Sequence, residues 1–363
     1  MFVVTNREVF PTKTGLNAFG STPSCSGPLE LRLAEAKKSR DRWKIDILPD
    51  QVTAAMAAES GLDVSGPEPV YTSRYVAAKL LARINPKLSG GRGKGRNFVL
   101  FVHGFNNDLK SALDRAWRFE KTYQVEVLVF SWPANGGGAK GVASYLSDKA
   151  DAQASVGALG RVLGKLQSIM AEVHATHEQR VEELANRRHP DDDEAWRTFF
   201  TEQAEKSCPF TVNLVLHSMG NYLFKKMLET SVFRSAQPIF DNVVLVAADT
   251  NTADHAEWVE NIAARRRVFV TLNEHDIALA ASRLKMGERQ KARLGHYVFE
   301  LNASNASYVN FTDAAHVARS HAYFEGKPTR NPSVKAFFDA AFNGLAAEQA
   351  LPYDAARNLY QVS

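Results

Sequence analysis

Cysteine is nearly absent: two in 363 residues, Cys25 and Cys208, far apart and in unrelated surroundings. This excludes a disulfide framework and a thiolate metal site, and points to a reducing, cytoplasmic compartment. Long apolar runs are missing as well, and none approaches the ~18 residues of a membrane span. The opening Met1-Phe-Val-Val-Thr-Asn-Arg7 has no basic start followed by an apolar core, so no secretory signal is expected. Charge of one sign is scarce. Lys and Arg total 44 against 40 Asp and Glu, a net +4, too little to mark a nucleic-acid-binding protein. The one basic cluster, Arg92-Gly93-Lys94-Gly95-Arg96, reads as a solvated loop. Internal repeats and low-complexity segments are lacking.

The composition itself is ordinary for a globular protein, 45% hydrophobic and 23% charged, with enough length for a sizeable core. Short apolar runs alternate with stretches of helical spacing. Phe2–Val4, Leu29–Leu33 and Trp43–Leu48 read as strands, residues 8–30 otherwise as irregular, and Tyr75–Ile84 as helix. Stronger strands are expected at 98–102, 125–132, 212–216, 242–247, 268–272 and 308–311. Helices are expected at 109–123, about 148–170 and about 333–347. The pattern gives an α/β fold, a mostly parallel central sheet with helices on both faces in a three-layer sandwich. Residues 1–97 form an N-terminal elaboration contributing the first strands. Residues 98–350 form the core, with a polar helical insertion at about 172–207, and 351–363 form a C-terminal tail.

Ligands of open parallel sheets gather beyond the carboxyl ends of the strands. At that edge, Val212–Leu216 runs into His217-Ser218-Met219-Gly220 and then into helical spacing from Tyr222. Strand, sharp turn with serine, then helix is the layout of a nucleophile elbow, which lifts a weak nucleophile clear of the sheet. The usual first glycine of Gly-x-Ser-x-Gly is replaced by Leu216. His103-Gly104-Phe105, after the strand at 98–102, is the kind of turn that supplies an oxyanion-hole N–H. The Phe105 and Met219 amides are the expected donors. Asp276 and Asp249 compete for the acid, with Asp254 and Glu274 behind them, and His321 and His316 compete for the base. Asp276 and His321 are preferred, which gives the chain order Ser, Asp, His.

His103, Asn106, Trp132, the Gly136–Gly138 loop, Tyr145 and His217 are expected around the pocket, with residues 277–305 as a further wall. Arg283, Lys285, Arg289, Lys291 and Arg293 make that last stretch basic; a solvated helix face explains this better than an acidic substrate. His174 and His177 lie one turn apart, but on so polar a stretch they read as solvated. No metal and no organic cofactor is expected. Trp196, Phe199 and Phe200, at helical spacing in the insertion, form a packing face or a surface for a protein partner.

The chain resembles the α/β-hydrolase superfamily. Within it, the likeness is to a bacterial hydrolase-like family catalogued as a domain of unknown function (number nine hundred). The residues carrying the likeness are Val4-Thr-Asn-Arg7, Phe101-Val-His-Gly-Phe-Asn-Asn107, Val129-Phe-Ser-Trp-Pro133, Tyr145-Leu-Ser-Asp148, His217-Ser-Met-Gly-Asn221, Asp276-Ile-Ala-Leu279 and His321-Ala-Tyr323. The resemblance implies a serine hydrolase with Ser218 as nucleophile, Asp276 as acid and His321 as base. It assigns no substrate, and the insertion at 172–207 looks longer than the family pattern requires. The expected activity is hydrolysis of a carboxylic ester or related small acyl substrate. Acyl transfer or peptide hydrolysis would use the same triad, and a hydrolase fold retained as a binding scaffold is the rival of another class.

Overall fold

The computed structural model describes residues 1–27, 29–85, 95–134, 145–205, 210–230, 238–283 and 292–363, without the side chains of 145–146 and 204–205. Strands in chain order are β1 Phe2–Thr5, β2 Arg7–Val9, β3 Phe19–Pro23, β4 Arg32–Ser39, β5 Arg42–Ile47, β6 Phe98–Val102 and β7 Glu126–Ser131. They continue with β8 Val212–His217, β9 Phe240–Val246, β10 Ala264–Leu272, β11 Ala306–Asn310, β12 Tyr353–Asp354 and β13 Leu359–Gln361. Helices are α1 Ala54–Ser60, α2 Thr72–Ile84, α3 Leu109–Tyr123, α4 Tyr145–Ala154, α5 Val156–Arg188, α6 Asp193–Glu205, α7 Met219–Leu228, α8 Ala256–Val259, α9 Ile277–Arg283 and α10 Pro332–Phe342.

Among the described residues the main sheet runs β12-β13-β11-β10-β9-β8-β6-β7-β1-β4-β5. From β1 through β13 neighbours are parallel, whereas β4, β5 and β12 join antiparallel at the two margins. The strands are apolar on both faces because both are covered. Phe98, Leu100 and Val102 face one core with α2, α5 and α7; the alternating Val99 and Phe101 face the other with α3 and α10. Helix starts are set by local chemistry. Asp108 accepts the Ser111 N–H at 2.7 Å to cap α3, and Asn331 accepts that of Ser333 at 2.8 Å, before Pro332 in the first turn of α10.

Several elements differ from the sequence reading: the strand expected at Leu29–Leu33 lies at Arg32–Ser39, and residues 351–363, expected as a tail, add β12 and β13 to the sheet. Residues 7–23, expected to be irregular, include a small β2–β3 ribbon. The single helix expected at 148–170 is two: a break falls at Ser155, whose hydroxyl donates to Asp151 O at 2.7 Å and accepts Asn6 Nδ2 at 2.9 Å. Beyond it α5 runs on to Arg188, through the polar stretch, because that stretch is rich in Ala, Glu, Arg and Leu, all strong helix formers. Helix α6 returns along it, with Trp196 donating to Asn186 at 2.6 Å and stacking on Phe200 at 5.1 Å. Arg188 lies over Phe199 at 5.2 Å. The described contacts of this aromatic trio are thus within its own hairpin.

Candidate active site

Ser218 joins β8 to α7 with φ 55° and ψ −122°, a conformation L side chains rarely adopt. The surroundings over-determine it. The Ser218 N–H donates to Val246 O at 3.0 Å, and its carbonyl accepts the N–H groups of Asp249 (3.2 Å) and Asn221 (3.0 Å). Asn221 Nδ2 donates to the carbonyls of Ser218 (3.0 Å), Leu216 (3.2 Å) and Val246 (3.3 Å). The demand for small residues falls on glycines flanking the turn. A Cβ on Gly104 would stand 2.6 Å from Ser218 Cβ, and one on Gly220 2.7 Å from Val102 O. Leu216 points into the core beneath α5 and α7 and is fully buried, so its bulk does not obstruct the turn.

Gly104 belongs to the loop after β6, which is fastened from below. Arg7 is 2% exposed. It donates to Asn107 O (3.0 Å), Gly20 O (3.2 Å) and Ser131 Oγ (3.1 Å). Burial pulls its pKa down to about 10, which leaves it charged at neutral pH. Asn107 Nδ2 in turn holds the carbonyls of Gly104 (3.1 Å) and Phe105 (2.8 Å). His103 and Trp132 are fully buried and stacked at 5.4 Å behind the loop, with Trp132 Nε1 donating to His103 O at 2.8 Å. Burial, then the Arg7 charge, lower the His103 pKa to about 3, so the ring is neutral. Asn106 (φ 56°) and Phe105 are half-buried at the loop tip. Met219 opens α7, and as the first helical residue its N–H has no intrahelical acceptor.

Beyond β10, Asp276 caps α9: its Oδ1 accepts the N–H groups of Ala278 (2.9 Å) and Leu279 (3.1 Å). Its Oδ2 lies 2.6 Å from His321 Nδ1. Asp276 is fully buried, and the His321 side chain is 23% exposed. The His321 ring packs 4.7 Å from that of His217, the residue before Ser218. The structure therefore brings Asp276 and His321 together beside the elbow. Among the described residues no hydrogen bond joins the Ser218 hydroxyl to His321 or to another acceptor. The serine is largely buried, 5% exposed.

Asp249 and His316 are placed otherwise. The Asp249 carboxylate is ion-paired with Arg293, Oδ1 to Nε 3.1 Å, and Ser282 Oγ lies between them, donating to Asp249 Oδ1 at 2.9 Å and accepting from Arg293 Nε at 3.1 Å. His316 is exposed on a turn with φ 71°. Asp254 and Glu274 are exposed as well. Of the basic stretch, Arg293 is bound up with Asp249 and Arg283 lies over Tyr297 at 4.8 Å. Lys285, Arg289, Lys291, the Gly136–Gly138 loop and the Tyr145 side chain lie outside the described residues, as do Arg92–Lys94 and Cys208.

A family described as alpha/beta hydrolase of unknown function (DUF900) matches residues 82–177 and 192–339, well over half the chain. The chain belongs to that family. Residues 1–81 and 340–363 lie outside the match, and so do 178–191, the far end of α5 and the turn into α6, so the family pattern stops short of the tip of the hairpin. Neither the curated proteins nor the solved structures include a match. Among the described residues of this α/β hydrolase no helix is long and apolar enough to cross a membrane.

A cavity of about 580 Å³ lies away from Ser218. It is walled by Leu80 and Ile84 of α2, Val162 and Leu166 of α5, and Phe98 and Val212 at the starts of β6 and β8. Val212 and Ser218 are six strand residues apart, about 20 Å. The carboxyl edge, not this cavity, holds the strained serine and the bonded Asp–His pair.

Sequence reasoning misses the supporting residues. Arg7 lies outside the residues the family matches and Asn221 inside them, and the spacing of neither assigns it a role. Asn273, whose Nδ2 holds the carbonyls of Ala318 (3.0 Å) and Ser320 (2.9 Å), belongs to none of the motifs that carry the likeness. The signal that could have found it is a polar residue at a strand end, where buried carbonyls of the crossing loop need donors.

Proposed function

We propose that the protein is a serine hydrolase of a carboxylic ester or related acyl substrate. In this reading Ser218 is the nucleophile, His321 the base and Asp276 the acid that orients it. The observation that carries it is the conjunction of a serine forced to φ 55° at a strand–helix junction with a bonded Asp276–His321 pair beside it. Asp276 accepts from Nδ1–H, which leaves His321 Nε2 as the acceptor for the serine proton. Ser218 Oγ then attacks the acyl carbon. The developing oxyanion is stabilised by the N–H groups of Phe105 and Met219, donors worth about 2.7–4 kcal/mol each in the transition state. The imidazolium returns its proton to the leaving oxygen, the acyl–oxygen bond breaks, and water activated by His321 releases the acyl group. Buried Arg7, bonded to Asn107, keeps the Gly104–Phe105 turn at its post. Low cysteine content supports a cytoplasmic setting.

A fluorophosphonate probe tests this directly. The folded wild type is expected to be labelled and Ser218→Ala not, with hydrolysis of short p-nitrophenyl esters falling by on the order of 10⁶. Absent labelling of the folded protein, or equal labelling of the variant, would overturn the assignment and leave a binding scaffold as the better description.

A further inference from the structure

His217 sits between the elbow and the base, yet the triad makes no use of it. Its Nδ1 lies 3.0 Å from Arg115 Nη1, and its Nε2 lies 3.2 Å from the His321 backbone carbonyl. Arginine can only donate and a carbonyl can only accept. Both bonds form together only when Nδ1 is bare and Nε2 carries the proton, so the geometry dictates the tautomer. Burial, with the charge of Arg115 as the next cause, pushes the His217 pKa well below its ordinary value and keeps the ring neutral. Arg115 is itself held: its Nε meets Glu325 at 2.9 Å, and Arg118 takes the other carboxylate oxygen at 2.7 Å. Glu325 lies four residues beyond His321 on the same turn-only segment. One short chain of bonds therefore leaves the base loop at Glu325, crosses Arg115 and His217, and returns at His321.

We infer that His217 is a positioning residue, locked by Arg115 as the Nε2–H tautomer, which fixes the backbone of the base His321 to the strand that presents Ser218. The inference rests on the hydrolase reading above and gives its site a further part. The consequence is directional. Arg115 sets the tautomer and His217 carries the tether, so the two bonds of one ring serve different ends.

Two substitutions separate them. His217→Gln puts an amide nitrogen where Nε2 lies, keeping the tether and losing the acceptor for Arg115. His217→Asn puts an amide oxygen where Nδ1 lies, keeping the acceptor and losing the tether. Ester hydrolysis by the full chain is expected to fall about 100-fold in kcat for His217→Asn, with KM little changed, as for an ångström-scale misplacement of a catalytic group. His217→Gln is expected to stay within about 5-fold. Melting temperatures should rank in the opposite order, because Gln leaves a buried guanidinium donor unpaired. Rates that track the melting temperatures, or equal rates in the two variants, would overturn the inference. Histidine ring ¹⁵N shifts give a readout that needs no activity: His217 should show a bare Nδ1 and a protonated Nε2, lost in Arg115→Met. The opposite tautomer would overturn the lock. An unlabelled, inactive wild type would instead overturn the hydrolase reading, with the tautomer still decided by the shifts.

Discussion

Asp249 and Asp276 stand at the carboxyl ends of neighbouring strands, both buried, both within reach of a basic side chain. Asp249 meets Arg293, with side chains 4% and 7% exposed, and Ser282 shares the contact. Asp276 meets His321, which is partly open to solvent. The difference teaches how one sheet edge sorts like residues. A carboxylate against a guanidinium is committed, because the guanidinium can only donate, and the pair ties residues 249 and 293 across the strand ends. A carboxylate against an imidazole sets a tautomer and leaves the far nitrogen free to accept a proton. Asp249 still serves the elbow, through its backbone: its N–H holds Ser218 O at 3.2 Å.

The largest expected effect breaks the comparison at Asp276. Asp276→Asn keeps an oxygen to cap α9, but its amide presents N–H to His321 Nδ1. The ring proton is then driven to Nε2, where it opposes the serine proton. Ester hydrolysis should fall by about 10⁴ while the protein stays folded. Asp249→Asn, measured on its folded fraction, should keep its rate within about 10-fold. Comparable losses in the two variants would remove the distinction.

Stability reverses the order. Asp249→Asn takes the carboxylate away from the buried Arg293, which keeps its bonds to Ser282 Oγ and Asn251 Oδ1, and should cost about 3–5 kcal/mol in denaturant unfolding. Asp249→Asn combined with Arg293→Met removes the buried charge as well and should recover most of that cost, since replacing both members of a buried pair is often close to neutral. A double variant no more stable than the single one would show that the pair is not what holds this edge.

Much of this edge is legible in the sequence because strand ends announce themselves. Apolar runs stop at Val102, Leu216 and Leu272, and the parallel-sheet rule places the turns after them on one side. Asp276 and His321 can be preferred but not paired from sequence alone, since the turns at 311–325 have no periodicity. Leu216 looks unfavourable in the elbow because the pattern hides direction. Only the fold shows that its side chain enters the core while Gly104 and Gly220 take the close approaches. The tethers, Arg7 to the loop after β6 and Arg115 to His217, span about a hundred residues of chain, and no local spacing signals a bond of that range.

A further effect sets the pH at which the two carboxylates can be compared. His103 and His217 are buried with pKa values depressed below the ordinary 6.5, His103 to about 3. In the unfolded chain each takes up a proton near pH 6.5; in the folded protein neither does. The unfolded state therefore binds more protons below pH 6.5, and stability falls as pH falls, by up to about 1.4 kcal/mol per pH unit for each ring. For His103 this loss runs from about 6.5 down to about 3, and above 6.5 its contribution is fully present. Urea unfolding at a series of pH values should give a plateau between pH 7 and 8 and a decline below 6.5, shallower in His103→Asn. A flat or rising stability from pH 7 to 5 would mean that these rings are not held neutral. Rates of the Asp249 and Asp276 variants compared on the plateau then report the carboxylates themselves, because the folded fraction no longer changes with pH.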